Sequence, residues 1–156
     1  MRKMTLLLLV VLTAVLASSF AFAGEKSFKA KLSPKEEMVT PAQSKASGKA
    51  EFKLSKDGKT LSYKLHVKNI LDANAAHLHK GKKGEAGAPL VALFAGERKG
   101  KFSGTLAEGT ITDKDLLGDL QGKPLDELIL LIKAEDVYVN VHTDANAEGE
   151  IRGQVK

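Results

Sequence analysis

Gly48-Lys49-Ala50-Glu51-Phe52-Lys53-Leu54-Ser55-Lys56-Asp57-Gly58-Lys59-Thr60-Leu61-Ser62-Tyr63-Lys64-Leu65-His66-Val67-Lys68 is the stretch whose pattern settles the class of fold. Ala50, Phe52 and Leu54 alternate with Lys49, Glu51, Lys53 and Ser55, a period of two that turns one face of a strand to a core and the other to water. Lys56-Asp57-Gly58-Lys59 supplies an Asp-Gly turn, in which glycine takes a positive φ without a Cβ clash. Leu61, Tyr63, Leu65 and Val67 resume the alternation, so residues 48–68 read as an antiparallel hairpin.

On the N-terminal side, Phe28, Ala30 and Leu32 alternate as a first strand, followed by a crossing loop that contains Pro34 and Pro41. On the C-terminal side, Ala75–His79 and Leu90–Phe94 are two extended segments separated by Lys80-Gly81-Lys82-Lys83-Gly84-Glu85-Ala86-Gly87-Ala88-Pro89. Glycine and lysine at that density neither pack a core nor hold a helix, which makes the segment an exposed loop. It lacks the Gly-Lys-Ser/Thr and Gly-x-Gly-x-x-Gly elements of a phosphate-binding turn. Phe102–Ile111 reads as a further strand.

Between Asp113 and Glu135 the period changes. Leu116, Leu117 and Leu120 fit one apolar face behind a capping box of Thr112 and Asp115. Pro124 then begins a second short helix with acids in its first turn, although Ile129–Ile132 would also suit a strand. Val137, Val139 and Val141 restore the two-residue period, and residues 149–155 close the chain as a last strand. Seven or so short strands with a late helical excursion favour an all-β, antiparallel β-sandwich or a partly closed barrel. No internal repeat or long linker divides the chain.

Residues 1–23 differ from the rest. Arg2 and Lys3 precede an apolar run that ends in Ala21-Phe22-Ala23, the pattern of a secretory signal peptide cleaved after Ala23. Met4–Ala23 would also just reach across a hydrocarbon core of about 20 residues, but its small-residue end favours cleavage, with no stable membrane insertion afterwards. Residues 24–156 then form one domain. Loss of Arg2 and Lys3 lowers the formal charge from +5 to +3, with lysines scattered among acids, and this does not argue for nucleic acid. The absence of cysteine excludes disulfides, thiolate ligands and a cysteine nucleophile, so stability must come from core burial.

Among the four histidines, His66 lies in the polar register of its strand and is read as a surface residue. His77 and His79, two apart, share one face of a strand, and His142 lies opposite the valines of the Val137–Val141 segment. If the two segments are neighbours, three imidazoles converge, which is the minimum that zinc or copper would want from nitrogen ligands. Asp144 and Glu150 are candidate partners for these rings, whether the histidines serve a metal or a structural polar network. Asp144-x-Asn146-x-Glu148-Gly149 begins like a calcium loop, but its twelfth position is Val155, so that module is excluded; Asn146 and Gly149 are explained as turn residues. Glu150 and Arg152 share a strand face and are expected to pair with polar groups across the sheet. No Gly-x-Ser-x-Gly elbow frames a nucleophile. A chain without tryptophan, and with two of its six phenylalanines in the signal segment, suggests no sugar-binding groove for a pair of carboxylates.

Several of these segments together, Ser47-Gly48-Lys49-Ala50, the Asp57-Gly58 turn with Leu61-x-Tyr63, Ala76-His77-Leu78-His79-Lys80-Gly81, Tyr138-Val139-Asn140-Val141-His142-Thr143 and Gly149-Glu150-Ile151-Arg152-Gly153-Gln154, resemble the CHRD domain, named after chordin and found singly in exported bacterial proteins. The resemblance runs from about Phe28 to Val155, with Ala147 where the family often has proline. It implies an immunoglobulin-like β-sandwich with a Greek-key-like plan, and its motif histidines fall on His77, His79 and His142. The cysteine-rich modules that accompany the domain in growth-factor binding are missing, so that role is not carried over.

The expected function is accordingly that of a non-enzymatic binding or structural module of the periplasm or extracellular space, with an envelope or extracellular protein or glycan as partner and no cofactor. The alternative is a histidine-based copper or zinc protein, with redox chemistry open to the copper form.

Overall fold

The computed structural model describes residues 26–38, 41 and 43–156. The signal-peptide assignment of residues 1–23 therefore lies outside the described residues. Among the described residues, six strands, β1 (Ser27–Leu32), β2 (Ser47–Leu54), β3 (Leu61–Lys80), β4 (Pro89–Ile111), β5 (Val137–Thr143) and β6 (Ile151–Gln154), form one antiparallel sheet, with one α-helix, α1 (Leu125–Lys133), between β4 and β5.

The β2–β3 hairpin follows the sequence pattern: Ala50 pairs with Leu65, Phe52 with Tyr63 and Leu54 with Leu61. Phe52, Leu61, Leu65 and Val67 are fully buried, and Gly58 turns at φ 72°. Strand β3 does not stop at Val67. It runs on through His79, and its inward positions shift from Val67 to Ile70, Ala73 and Ala76, three residues apart, before the two-residue step returns at Leu78. Each step of three marks an extra residue, and the ladder slips between Val67 and Ile70 and between Leu71 and Ala75. Asn69 (φ 54°) and Asp72 (φ 51°) absorb these bulges in the left-handed region that asparagine and aspartate tolerate best. Strand β4 shadows this path and has Gly96, Gly100 and Gly104 at positive φ. The two pairs of shorter segments expected from the sequence are thus two long, bulged strands.

This continuity determines the architecture. β2 lies along the first half of one edge of β3 and β5 along the second half of the same edge, while β4 pairs along the other edge throughout. β1 extends the β2 side and β6 the β5 side. The two ends then meet: the Lys29 and Lys156 backbones exchange hydrogen bonds at 2.7 and 2.9 Å, and those of Ser33 and Arg152 at 3.0 and 3.2 Å. The antiparallel all-β reading therefore holds, and the sheet resembles the nearly closed barrel more than a sandwich. Two separate facing sheets of immunoglobulin-like plan are not what this pairing describes, because β3 and β4 are long enough to run through both halves.

The helical excursion holds in part. The Thr112–Asp115 capping box is present, but Asp113–Asp115 and Gly118–Leu120 are single 3₁₀ turns where one helix was expected. In α1, Leu125, Leu128, Ile129 and Ile132 are buried and Leu130 is exposed, a helical spacing that decides against the strand alternative. This face packs into the same core cluster as Phe52, Leu78, Val139 and Ile151.

Candidate metal centre

The second half of the sheet has a buried inner face and an unusual outer one. On β3, Ala76 and Leu78 point into the core, so His77 and His79 point out; on β5, Val141 and Thr143 are buried inward, so His142 points out. Antiparallel pairing sets Ala75 opposite His142, His77 opposite Asn140 and His79 opposite Tyr138. The three rings consequently meet, with centroids 5.5 Å apart for His77–His79, 5.3 Å for His77–His142 and 5.8 Å for His79–His142. One nitrogen from each ring lies within 4.8 Å of the other two. Zinc holds imidazole nitrogens at about 2.0–2.1 Å, so ligands of a single ion need this kind of close grouping. His66 pairs with Lys49 and Thr105 in the other half of the sheet and takes no part.

An outward face is normally wet, but here loops cover it. The glycine-lysine segment is an exposed loop over residues 82–89, as its composition predicts, but it also folds back across the sheet. Gly87 donates its N–H to the Tyr138 hydroxyl at 3.3 Å, and Arg152 donates to the Lys82 and Glu85 carbonyls at 2.9 and 2.7 Å. The Arg152 guanidinium also stacks 3.4 Å from the Tyr138 ring centre, and that ring stacks on His79 at 5.1 Å, nearly parallel. Arg152 and Asn140 are buried, and with Tyr138, Glu37, His79 and His142 they line a cavity of about 270 Å³.

Two of the rings have their protons assigned by their partners. His79 Nδ1 lies 2.9 Å from the Gly87 carbonyl and His142 Nδ1 lies 2.9 Å from the Ala147 carbonyl. A carbonyl only accepts, so each Nδ1 must carry the hydrogen, and in the neutral ring Nε2 is left with a lone pair. Both Nε2 atoms, together with His77 Nδ1, are buried without a hydrogen-bond partner. Glu37 Oε1 and Asn140 Oδ1 complete the buried side-chain polar atoms that lack partners among the described residues, so every one of them belongs to this site. Buried polar atoms are ordinarily satisfied, at a cost of about 1–3 kcal/mol each when they are not.

Burial, reinforced by repulsion from His142 and His79, holds the His77 pKa down at about 4. Burial also lowers that of His79, against the opposing pull of the Gly87 carbonyl. These two rings are neutral near pH 7, the form that offers a lone pair. Burial raises the Glu37 carboxyl to about 7 despite the Arg152 guanidinium and the Asn140 amide.

Neither expected carboxylate reaches a histidine. Asp144 pairs with Lys99 at 2.8 Å and accepts from Asn74 at 2.9 Å. Glu150 is buried and accepts from Ser44, Thr143 and Asn146. That cluster pins the turn that presents the Ala147 carbonyl to His142, where Asn146 and Gly149 (φ 133°) serve as the expected turn residues. Arg152 faces loop carbonyls and Tyr138, and no carboxylate lies within 4.0 Å of it among the described residues. Sequence reasoning missed Glu37 because it sits in a proline-containing loop with no periodic signal, and missed the two orienting carbonyls because a backbone oxygen has no residue signature.

Residues 28–155, nearly the whole described chain, match the family model of the CHRD domain. No curated protein and no solved structure matches the chain.

Proposed function

The chain belongs to the CHRD domain family, and from that premise we propose that it is an exported metal-binding module in which His77, His79 and His142 hold one zinc or copper ion. The observation that carries this reading is the set of three buried ring nitrogens without partners, two of them fixed as lone-pair donors by the Gly87 and Ala147 carbonyls. Tying the distal nitrogen of a metal-binding histidine to a carbonyl is how proteins set its tautomer and orientation. With imidazole alone and no sulfur, the donor set suits zinc or copper(II) rather than a thiolate copper centre. Three protein ligands leave a fourth position, and the cavity lined by Glu37 and Asn140 is where a water or small ligand would take it.

The non-enzymatic binding role and export fit together with such a module: its ligand is the ion, and the periplasm or extracellular space is where residues 1–23 would send it. Metal analysis of the purified protein beside a His77→Ala/His142→Ala variant tests the reading. About one equivalent of zinc or copper is expected in the first and a trace in the second. Equal metal in both would sink the site.

A further inference from the structure

A second feature lies around the closing seam of the sheet, and it arises from charge alone. Lys29 and Lys31 alternate with the buried Ala30 and Leu32, so both point outward from β1. Lys156 reaches the same place through its backbone pairing with Lys29. Lys133 at the end of α1 and Lys82 and Lys83 of the folded-back loop complete the walls of an open groove of about 910 Å³. Glu36 and Glu135 also line it, but they are occupied by Lys83 at 3.2 Å and Lys156 at 2.9 Å. Lys29, Lys31, Lys82 and Lys133 have no carboxylate within 4.0 Å among the described residues.

Six lysines against two glutamates give this groove a formal charge of +4, whereas residues 24–156 as a whole carry +3. The net positive charge of the folded chain is therefore collected in one concavity, although in the sequence it looked evenly scattered. Concave walls of one sign focus the field and raise the local concentration of counter-charged ligands. The walls are also fixed in place. Gln154 donates to the Gly81 and Glu135 carbonyls at 2.8 and 2.7 Å, and Arg152 holds the Lys82 carbonyl, so both flanking loops are tied to β6.

We propose that this groove binds an acidic polysaccharide. The cations are all lysines, which act as hydrated point charges and suit a run of carboxylates or sulfates more than the bidentate geometry of a base edge. No aromatic side chain among the described residues lines the groove, so these walls offer nucleobases no stacking surface. Its concave form fits a linear polyanion better than a flat bilayer.

The test is binding of the purified protein to polygalacturonate and to heparin in the presence of a chelator, which silences the histidine site and separates the two readings. Lys29→Glu/Lys31→Glu is compared with Lys56→Glu/Lys59→Glu, an identical charge change in the β2–β3 turn. Binding that weakens with added salt, falls roughly tenfold or more in the groove variant and is retained in the turn variant is the expected result. Equal losses in the two variants, no binding to either polysaccharide, or equally tight binding to phosphatidylglycerol vesicles or a DNA duplex would overturn it.

Discussion

At the scale of the residue, the site rests on parity. His77, His79 and His142 point outward because Leu78, Val141 and Thr143 point inward, and that much is written in the alternation of the chain. The same parity puts Tyr138 and Asn140 on the His142 face of β5; what the pattern does not carry is the rest of the cover, since Glu37 comes from the loop after β1, Arg152 from β6, and the two orienting groups are main-chain carbonyls. The cover has a consequence for pH dependence. In the unfolded chain His77 titrates near 6.5 and Glu37 near 4.5, whereas in the folded protein they titrate near 4 and 7. Between pH 6.5 and 4 the unfolded state binds more protons at His77, so its burial costs increasing stability as pH falls; His79 acts in the same sense. Glu37 has the opposite sign, because the folded form holds its proton between pH 4.5 and 7, and stability is lost as pH rises through that window. Each group can contribute at most about 1.4 kcal/mol per pH unit, and solvent reaching the site lowers this. Urea denaturation of the metal-free protein from pH 7.5 to 4.5 should therefore show a flatter acid-side decline for His77→Gln and a steeper one for Glu37→Gln. Parallel profiles for all three proteins would contradict this assignment.

At the scale of the element, β3 explains why part of the fold was legible and part was not. The hairpin of residues 48–68 keeps strict alternation, and its register could be read residue by residue. Beyond Val67 the inward positions fall every third residue as far as Ala76, a spacing that resembles neither a regular strand nor a break, so the continuity of β3 and β4 has no simple sequence signal. Asp72 holds one of these bulges: its φ is 51°, and its carboxylate accepts the Gly100 N–H at 2.7 Å. Replacement by valine loses that bond and forces a β-branched residue into the left-handed region, for roughly 2–4 kcal/mol in all. Asp72→Gly loses only the bond and should cost about 1 kcal/mol. Equal costs in chemical denaturation would show that the bulge conformation carries no strain.

At the scale of the whole molecule, closure brings both candidate surfaces into being. β1 and β6 lie far apart in sequence, and no local pattern announces that they meet; the lysine groove follows from that meeting. The seam depends on close approach, since a Cβ at Gly153 would stand 2.1 Å from the Lys31 carbonyl oxygen. Gly153→Ala should therefore destabilise the protein by about 1–3 kcal/mol and increase amide exchange along β1 and β6, with little change at the β2–β3 hairpin. An unperturbed denaturation midpoint would argue that the sheet is open in solution.

X-ray absorption at the metal edge of the zinc- or copper-loaded protein reads the ligands of an ion held at the histidine face. The expected result is a shell of three imidazole nitrogens at about 2.0 Å plus one water or small-ligand donor atom, lost on substituting His79 and His142 with glutamine. A shell of oxygens alone, or one unchanged by those substitutions, would contradict it.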